Sequence, residues 1–410
     1  MLSKPGRFLR TGITLSNSQQ QHADTIIVGG GVAALWTANV LKKAGQSVCV
    51  LTNGPLGDGQ SLAAQGVIHG GLKYAVGGKL NEASQALAHM PTRWLDALDG
   101  KGPVDLSKAE LLSDHQILWS LPSVFSQIVS FFGSKAVRGR CSIIKREEYP
   151  SVFDSPEYKG QLFRIEEPVV DPVSILSELA AGVAEETWEV EWGKNSRLEF
   201  NDNQISGIIL TDPGHSMTRL TANHFVLAAG SGNGPIMEAL GWSKPQMQIR
   251  PLHQLIIRDK NLPDFYSVCV GNGSKPPLVS TTHTDRAGRK VWYIGGEIAE
   301  QRGVSRSEDE QIEAGKSLFK ELMPWQDLSA AEWFTCRSQR AEPLTGTGDR
   351  PPGAFCERKG NTFIVWPTKF ALAPNLADQI LSQTSAESDL DPIDLSLPHP
   401  KLGIPPWDIQ

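Results

Sequence analysis

The segment 68–71, Ile-His-Gly-Gly, contains a side chain well suited to acid–base chemistry. An imidazole titrates near neutral pH, so His69 could accept a proton from a substrate hydroxyl or amine. The two glycines that follow carry no side chain, which lets the ring lie close to a planar ligand. We therefore predict a catalytic role for His69, with a purely structural role as the alternative for a lone histidine.

Basic residues elsewhere in the chain could hold a small anion. Arg337 and Arg340 lie in the segment 335–342, and a guanidinium group matches a carboxylate or a phosphate in a two-pronged contact. Lys369 and Lys73 are further cations that could stabilise negative charge. An ion pair between Arg340 and Glu342, or another acid, is the alternative interpretation for that arginine.

The segment 24–51 predicts the scaffold that positions these side chains. An apolar strand, a glycine turn, a helix and a second strand follow one another, at residues 25–28, 29–31, 32–44 and 47–51. Gly29 permits the tight turn, Gly31 lets the backbone approach a pyrophosphate at the helix N-terminus, and Ala34 is small enough for helix–sheet packing. Because the motif has its full structural context, it predicts a dinucleotide-binding site.

One position departs from the usual dinucleotide-binding pattern. The second strand normally ends in an acidic residue that binds the ribose hydroxyls of the adenosine. Here Leu51 is followed by Thr52 and Asn53, whose side chains could bind a ribose without a charge-assisted hydrogen bond. The sequence thus predicts a weaker ribose contact, or one supplied by another part of the chain.

The remaining patterns predict a mixed α/β protein. Further strands are expected at residues 205–210, 224–228, 254–258, 290–294 and 362–365, and further helices at 80–98, 172–185, 307–322 and 371–382. The first two strands form a parallel βαβ unit, whereas the later strands come in sequential pairs that are typical of antiparallel sheets. We therefore expect a Rossmann-like domain with a parallel sheet, interwoven with a domain built on an antiparallel sheet.

Composition excludes several classes of protein. The chain has 410 residues, enough for two domains, with 45 acidic and 39 basic residues and a net charge of −6. That balance argues against binding of nucleic acid through bulk positive charge. The five cysteines are odd in number and include no CxxC pair, so neither a disulfide framework, nor a zinc site, nor any other metal site is predicted.

Membrane insertion and secretion are not expected either. No apolar run reaches the roughly 18–20 residues that a spanning helix needs. Residues 1–23 contain no acid and no continuous apolar region, which predicts a disordered leader, with an organellar transit peptide as the alternative. Apolar residues at helical spacing in 124–132, followed by basic residues in 135–140, favour core packing, and contact with a membrane or a quinone is the alternative. We expect a cytoplasmic protein, or one peripheral to the inner membrane.

The segment 59–74, Gly-Gln-Ser-Leu-Ala-Ala-Gln-Gly-Val-Ile-His-Gly-Gly-Leu-Lys-Tyr, resembles the flavoprotein superfamily of D-amino-acid oxidase. Within it, the segment is most similar to FAD-dependent glycerol-3-phosphate dehydrogenases, with a related element in L-2-hydroxyglutarate dehydrogenases. Four other segments resemble the same superfamily, namely Glu-Pro-Val-Val-Asp-Pro at 167–172, Phe-Val-Leu-Ala-Ala-Gly-Ser at 225–231, Arg-Ala-Glu-Pro-Leu-Thr at 340–345 and Trp-Pro-Thr-Lys-Phe-Ala-Leu-Ala-Pro at 366–374. The glycine pair usual at the last of these is replaced by Trp-Pro.

The resemblance implies noncovalently bound FAD. The residues it places around the cofactor are Gly29, Gly31, Ala34, Thr52, Asn53, Gln60, Ser61, Gln65, Gly66, Ile68, Val190, Ala229, Gly230, Pro367, Thr368, Lys369 and Phe370. It implies catalytic roles for His69, Arg340 and Lys369. The strand 248–258 would enter the substrate domain, which makes His253 a substrate candidate together with His283, Arg337, Lys73 and Arg340. Alternation along that strand puts Arg250 and Gln254 on one face and His253 on the other.

The predicted function is that of an FAD-dependent oxidoreductase. The enzyme would take a hydride from a small, anionic hydroxy or amino substrate to flavin N5, with an amine or amino-acid oxidase as the main alternative among enzymes. A flavin-binding protein without turnover, acting as a scaffold or sensor, is the alternative from another class. A small molecule is the expected partner.

The domain limits follow from the motifs. Residues 24–100, 155–245 and 335–384 are expected in the FAD-binding domain, and residues 101–154 and 246–334 in the substrate domain. Residues 385–410 include five prolines and an acidic cluster, which predicts an extended tail. Its apolar end favours packing on its own domain, and binding of a partner protein is the alternative.

Overall fold

A computed structural model describes residues 19–71, 86–120, 141–271, 273, 275–346, 351–384, 390 and 392–409. The strands are β1 (Gln19–Val28), β2 (Val48–Thr52), β3 (Leu111–Ser113), β4 (Gln116–Ser120), β5 (Cys141–Ile144), β6 (Leu162–Ile165), β7 (Val169–Val170), β8 (Thr187–Glu189), β9 (Ser196–Asn201), β10 (Gln204–Thr211), β11 (Met217–Leu227), β12 (Met247–Arg258), β13 (Ser267–Val270), β14 (Val279–Thr284), β15 (Lys290–Gly295), β16 (Glu332–Pro343), β17 (Phe355–Lys359) and β18 (Thr362–Trp366). The helices are α1 (Val32–Lys43), α2 (Met90–Leu98), α3 (Pro172–Gly182), α4 (Asn233–Ala239), α5 (Gln301–Ser305), α6 (Glu308–Leu322) and α7 (Ala373–Leu381).

The first sheet has the order β17-β18-β11-β1-β2-β8, with the β9–β10 hairpin attached to β11. Strands β18, β11, β1, β2 and β8 run parallel, and β17 is antiparallel to β18. This sheet contains the glycine turn after β1. The predicted parallel, Rossmann-like sheet is therefore confirmed.

Helix α1 packs closely on the first sheet because its inner face is made of small and aliphatic residues. Ala34, Leu35 and Ala38 are fully buried in the core that α1 shares with α3 and α7. The Asn39 side chain donates a hydrogen bond of 2.8 Å to the carbonyl oxygen of Leu179, which ties α1 to α3. The start of α1, where the glycine turn lies, is thus held rigidly against the sheet.

The second sheet has the order β16-β12-β15-β14-β13-β4-β6-β5 and is mostly antiparallel, with one parallel pair between β13 and β4. One of its faces carries an aromatic and aliphatic core under α6 that includes Leu255, Trp292 and Phe319. A Cβ atom at Gly315 of α6 would lie 2.5 Å from a methyl group of Leu255, so a glycine is needed for this close packing. The opposite face is left for contacts with the first domain.

Three predicted boundaries are wrong. Strand β1 begins at Gln19, inside the predicted disordered leader 1–23, because residues 19–23 pair with β11. Strand β6 lies in the second sheet, although residues 155–245 were expected in the FAD-binding domain. Strand β16 also belongs to the second sheet along its whole length, so the return to the first domain comes after Pro343 and not at residue 335.

Residues 392–409, which we call the C-terminal strap, pack along both domains. The strap begins on the first domain, where the backbone N–H of Glu189 donates to the carbonyl oxygen of Pro398 at 2.7 Å. It then runs beside Leu56, which exchanges backbone hydrogen bonds with Lys401 and Gly403. The expected packing of the tail on its own chain is found, and it includes the second domain as well.

The strap ends in a pocket on the second sheet that buries Trp407. Trp407 is 1% exposed, and its ring stacks on the ring of His283 at a centroid distance of 4.0 Å. The guanidinium group of Arg258 donates to the Trp407 carbonyl oxygen at 2.7 Å. The end of the strap is therefore fixed by both packing and hydrogen bonding.

Among the residues that the structure describes, no helix is long and apolar enough to cross a membrane. The helix and basic segment predicted within residues 121–140, with their alternative membrane or quinone contact, lie outside the described residues.

Candidate active site

The glycine turn after β1 has the backbone geometry that a dinucleotide site requires. Gly29 has a φ of +136°, and a Cβ atom there would lie 2.4 Å from the carbonyl oxygen of Ala228, so only glycine fits. The Ser61 hydroxyl oxygen lies above the turn and accepts a hydrogen bond of 3.0 Å from the N–H of Val32. A Cβ atom at Gly31 would lie 2.9 Å from that same oxygen.

The N-terminus of α1 suits a negatively charged group. Its first turn contains no acidic side chain, and Gly31 at the N-cap supplies no side-chain cap. The unpaired N–H groups and the helix dipole leave a partial positive charge at this end. Ala34 is fully buried, so its contribution is the close packing of α1 on the sheet.

The end of β2 explains what replaces the usual acidic residue. Thr52 is 4% exposed, and its hydroxyl donates to the carbonyl oxygen of Gly54 at 3.3 Å, which closes a local turn. Its backbone oxygen accepts from the N–H of Val190 at 2.8 Å. Asn53 is exposed beside it. Of the two predicted ribose ligands, Thr52 is buried, whereas the Asn53 side chain is exposed at the end of β2.

Two glutamines fasten the loop after the turn to the second sheet. The Gln60 side-chain oxygen accepts from the N–H of Ala341 at 3.2 Å. The Gln65 side-chain amide donates to the carbonyl oxygens of Val279 at 3.1 Å and Tyr293 at 2.9 Å. The structure therefore assigns Gln65 to the domain contact, which corrects its predicted use as a cofactor ligand through that amide group.

The next residues lie tightly against the segment before α3. Gly66 has a φ of +74°, and a Cβ atom there would lie 1.9 Å from the carbonyl oxygen of Val170. The N–H of Ile68 donates to the carbonyl oxygen of Pro168 at 2.9 Å. Because the Ile68 side chain is fully buried in the core, only its backbone is available to a cofactor.

His69 is held by a carboxylate that sequence analysis missed. The His69 Nδ1 atom lies 3.0 Å from Oε2 of Glu167, and Oε1 of Glu167 accepts from the N–H of Gly70 at 2.9 Å. Glu167 is 1% exposed. Glu167 lies in the motif at 167–172, which indicated the superfamily but gave no role to this acidic residue.

A second missed residue, Asn233, fixes the turn after β11. Its buried side chain accepts from the N–H of Ala229 at 2.9 Å and donates to the carbonyl oxygen of Val365 at 3.1 Å. Gly230 in this turn has a φ of +58°, and its carbonyl oxygen accepts from the Trp366 indole at 3.0 Å. Asn233 thereby joins the turn to β18, and no sequence feature singled it out.

The turn between β18 and α7 contains an unusual backbone conformation. Thr368 has a φ of +60°, which costs a residue other than glycine about 1–3 kcal/mol, and its hydroxyl donates to the carbonyl oxygen of Gly353 at 2.9 Å. Lys369 follows and is 8% exposed, with its N–H donating to the carbonyl oxygen of Pro367. The Phe370 ring stacks on a tryptophan of α2. Strain of this kind is typical of ligand-binding turns.

Arg340 lies in a cluster of charged residues on the second sheet. Its Nη2 atom is 3.5 Å from Oε1 of Glu300, which also pairs with Lys275. The register places Arg250 opposite Arg340 on the neighbouring strand, and Arg250 lies 3.3 Å from a carboxylate oxygen of Glu342. The alternative interpretation of Arg340, an ion pair with an acid, is thus realised with Glu300.

The pKa of Glu300 reports the positive field of this cluster. Burial alone would raise the pKa of that carboxyl group, but the hydrogen bond from Lys275 and the charges of Arg340 and Arg250 outweigh burial and lower the pKa. An anion is therefore stabilised at this position.

Two predicted substrate ligands, His253 and Arg337, lie on the other face of the second sheet. The His253 Nδ1 atom donates to the carbonyl oxygen of Gly303 at 2.9 Å, beneath α5. The Arg337 guanidinium group donates to the carbonyl oxygen of Val304 at 3.0 Å, at the end of the same helix. Gln254 has the opposite orientation, as predicted from alternation, and bonds the Tyr293 hydroxyl at 2.8 Å. The site roles predicted for His253 and Arg337 are therefore wrong.

The third predicted histidine, His283, is also closed to a substrate. It is 1% exposed, lies under Trp407, and has its Nε2 atom 3.0 Å from the Thr281 hydroxyl. Its Nδ1 atom is 3.9 Å from a carboxylate oxygen of Asp171. The prediction failed because the docked strap could not be located from sequence. Lys73 lies outside the described residues.

The described residues contain no cluster of three or more His, Cys, Asp or Glu side chains that could hold a metal ion. All five cysteines are free thiols.

A parallel sheet with a glycine turn, fastened through its loop to an antiparallel sheet, defines a two-domain dinucleotide-binding fold of the flavoprotein type. Residues 24–356 match the DAO family model, whose description is FAD dependent oxidoreductase. The chain belongs to this family, which confirms the resemblance derived from the motifs.

Individual relatives agree with this assignment. The chain is 38% identical over 397 residues to a probable FAD-dependent oxidoreductase of Pseudomonas aeruginosa, an alignment that covers 95% of this chain and 99% of the relative. The crystal structure of that protein superposes with a TM-score of 0.81 at 34% identity, again covering 95% and 99% of the two chains.

More distant structures share the fold. Glycine oxidase from Geobacillus kaustophilus has a TM-score of 0.60 at 16% identity and covers 90% of this chain and 97% of its own. L-alpha-glycerophosphate oxidase from Mycoplasma pneumoniae, with FAD bound, has a TM-score of 0.62 at 14% identity and covers 88% of this chain and 94% of its own.

The residues of this chain fit the cofactor of the family. Gly29 and Gly31 leave the start of α1 accessible to a pyrophosphate, and that helix end carries no competing acidic side chain. Asn53 offers a side chain beside the strand where a ribose would lie. FAD is therefore the cofactor, and the protein is an FAD-dependent oxidoreductase.

Proposed function

We propose that this enzyme oxidises a small anionic compound at a carbon that bears a hydroxyl or an amino group. When bound, FAD supplies the electron-accepting chemistry, and the protein supplies binding, orientation and proton transfer. The proposal assigns the anion to Arg340, the proton to His69 and a further positive charge to Lys369.

The observation that carries the proposal is the charged cluster around Arg340. Among the described residues, its ion pairs join three cations, Arg340, Arg250 and Lys275, to the two carboxylates of Glu300 and Glu342. Cations gathered in this way favour a carboxylate or phosphate group on the substrate. The bond from Ala341 to Gln60 supports this placement, since it joins the residue after Arg340 to the loop that follows the glycine turn.

His69 takes the proton role because its ring is oriented and partly accessible. Its side chain is 17% exposed, and its Nδ1 atom lies 3.0 Å from Glu167, so we assign the proton transfer to the other ring nitrogen, Nε2. A neutral imidazole could accept the proton of a substrate hydroxyl or amine at this atom. Gly70 and Gly71, which follow His69 directly, carry no side chain that could cover the ring.

Lys369 is assigned to charge stabilisation. Its side chain is largely buried, and it follows the strained Thr368 in the turn that resembles the flavin-edge motif of the superfamily. A buried ammonium group favours a neighbouring negative charge. Lys369 would therefore stabilise anionic forms of the bound cofactor.

We also infer that FAD is bound noncovalently. No cysteine occurs between residues 54 and 139, and His69 is engaged by Glu167. Denaturing the purified holoenzyme with acid should release all yellow colour into the supernatant, and colour retained in the pellet would contradict this inference.

Anaerobic mixing of the holoenzyme with a panel of α-hydroxy acids, polyol phosphates and amino acids tests the proposed function. We expect one class to bleach the flavin absorption rapidly. Bleaching by amino acids alone would select an amino substrate, and bleaching by hydroxy compounds alone would select a hydroxy substrate. If only dithionite or light reduced the flavin, the protein would be a flavin-binding scaffold or sensor and the proposal would be wrong.

A further inference from the structure

The Glu167 carboxylate bridges His69 and the backbone of the next residue. One oxygen lies 3.0 Å from His69 Nδ1 and the other accepts from the N–H of Gly70 at 2.9 Å. Both oxygens are engaged from the His69 segment, and the carboxylate is almost completely buried. This arrangement fixes the position of the imidazole as well as the direction of its hydrogen bond.

Backbone pairing holds Glu167 in this place. The N–H of Ile68 donates to the carbonyl oxygen of Pro168 at 2.9 Å, and the N–H of Val170 donates to that of Gly66 at 3.0 Å. The segments on either side of the His69–Glu167 contact are therefore joined directly. These bonds fix the backbone that carries the Glu167 side chain.

We propose that Glu167 is a positioning residue that holds the neutral His69 in the Nδ1–H tautomer, with the lone pair on Nε2. This inference rests on the proposed function, which assigns the proton transfer to Nε2 of His69. An ionised carboxylate can only accept hydrogen bonds, so Nδ1 must carry the proton that it donates.

The proposed step transfers one proton from the substrate to His69. The O–H or N–H bond of the substrate breaks as the Nε2–H bond of His69 forms, and the imidazolium that results is stabilised by the negative charge of Glu167. The two electrons and the hydrogen of the C–H bond go to FAD. Glu167 itself neither gains nor loses a proton.

The isosteric change Glu167→Gln separates the roles of charge and shape. The buried N–H of Gly70 requires an acceptor, so the new amide oxygen should face it. The amide NH2 group then points at His69 Nδ1 and makes that atom an acceptor. We therefore expect the proton of the neutral ring to shift to Nε2, which removes the base from the reacting side.

The 15N chemical shifts of the His69 ring in histidine-labelled holoenzyme measure this tautomer without any substrate. Comparison with His69→Gln assigns the two ring signals. The wild-type protein should show a protonated Nδ1 and an unprotonated Nε2, and Glu167→Gln should show the reverse. A wild-type ring with the proton on Nε2 would overturn the proposal, and this outcome does not depend on whether the variant folds.

Flavin reduction supplies the functional readout. With whichever panel compound bleaches the wild-type flavin fastest, Glu167→Gln should lower kcat by about 10²-fold or more while KM changes little, because general base catalysis is worth about 10²–10⁴-fold. Glu167→Asp, which keeps the charge, should recover part of the rate. Glu166→Gln is the matched control, since Glu166 is exposed and pairs with Arg164.

The two hypotheses fail in different ways. If no panel compound reduced the wild-type flavin, the proposed function would be wrong, whereas the ring shifts would still decide the role of Glu167. If substrate reduced the Glu167→Gln protein as fast as the wild type, or if the ring kept its tautomer in that variant, the positioning role would be wrong.

Discussion

Arg337 and Arg340 lie three residues apart on β16 and therefore point to opposite faces of the second sheet. Arg340 joins the charged cluster with Glu300, whereas Arg337 binds carbonyl oxygens at the end of α5. Because only Arg340 lies in the charged cluster, substitution of Arg337 is a matched control for substitution of Arg340.

Arg340→Met should lower kcat/KM by roughly 10²-fold, the effect of losing a charge-assisted contact worth about 2–3 kcal/mol. FAD content should stay nearly intact, because Arg340 is not among the residues of the glycine turn. Steady-state kinetics and the flavin-to-protein absorbance ratio measure both effects. Arg337→Met should leave kcat/KM close to the wild-type value, and full activity in Arg340→Met would exclude the anion-binding role.

For single residues, the sequence predicted those with a strict backbone requirement, but it did not predict which residues lie beside them in the fold. Gly29 and Gly31 were predictable because a glycine turn has a strict backbone requirement. His253 and Arg337 were assigned to the wrong face of the second sheet. The sequence of a strand that carries polar residues on both faces does not show which face lies toward the first domain. Glu167 was missed because its partner, His69, is 98 residues away in the sequence.

Among the elements, α1 and its turn are the ones on which cofactor binding depends most. The N–H of Val32 at the start of α1 is already satisfied by Ser61, and Gly31 leaves just enough space for that hydroxyl. The geometry of this helix end therefore sets how well the pyrophosphate fits.

Gly31→Ala should lower the affinity for FAD by at least about tenfold, since the new Cβ atom would lie 2.9 Å from the Ser61 oxygen and displace it. The Tm of the apoprotein should change little, because the backbone of Gly31 is in an ordinary extended conformation. Equilibrium dialysis measures FAD binding. Gly346→Ala is the control, since a Cβ atom there meets nothing within 4 Å, and equal FAD affinity in the two variants would contradict the prediction.

His283 on β14 makes the packing of the strap sensitive to pH. Burial lowers the pKa of His283, and the nearby Asp171 carboxylate opposes this shift only in part. The unfolded chain has the ordinary value of about 6.5 and binds the proton more readily, so this contribution to stability is complete above about pH 6.5 and is lost as the pH falls below it.

The measurement is Tm between pH 8 and pH 5. Wild-type Tm should fall on acidification, and His283→Phe, which keeps a flat ring under Trp407, should show a smaller fall. The pKa of His253 is also lowered by burial, so only the difference between the two proteins isolates His283. An identical pH dependence of Tm in both proteins would show that the folded and unfolded states bind a proton at His283 equally, which would contradict the prediction.

The element pattern could largely be predicted where a helix or strand has its own periodicity. Helix α6 begins at Glu308 with Ser307 as its cap, within one residue of the expected start, because Ser307 and Glu310 form a capping box. Strand β16 was recognised only as a motif. Its sequence has no regular alternation of apolar and polar residues, so periodicity did not reveal the strand, which pairs with β12 over twelve residues.

On the scale of the whole molecule, the C-terminal strap connects the two domains. It contacts β8 and Leu56 in the first domain, and its Trp407 contacts Arg258 in the second domain. Gly403 of the strap is close enough to Leu62 that a Cβ atom would lie 2.9 Å from its side chain. The strap thus packs on the loop that carries Ser61.

Trp407→Ala should lower the free energy of unfolding by about 3–5 kcal/mol, the usual effect of removing a buried aromatic side chain. Because the strap supports the loop with Ser61, the variant should also release FAD more readily. Thermal unfolding and the rate of FAD loss on dialysis measure these effects. Ile409→Ala, at a position that is 65% exposed, should change neither, and unchanged FAD retention in Trp407→Ala would limit the strap to a role in stability.

The strap also marks the limit of prediction at this scale. The proline content and acidic cluster of residues 385–410 predicted an extended segment, which agrees with its extended run along the first domain. Its destination could not be predicted, because the pocket for Trp407 is assembled from Ile256 on β12 and from Val291 and Tyr293 on β15.

The central claim, that FAD is reduced by a small anionic substrate held at Arg340, is tested most directly by an anaerobic titration of the wild-type holoenzyme. The panel compound that bleaches the flavin is compared with its uncharged counterpart, in which the carboxylate is a primary amide or the phosphate is absent. We predict that the anion reduces the flavin at concentrations about 10²-fold lower than the neutral compound does, as expected for loss of a charge-assisted contact. Equal reduction by the two compounds, or reduction only by the neutral one, would contradict the account.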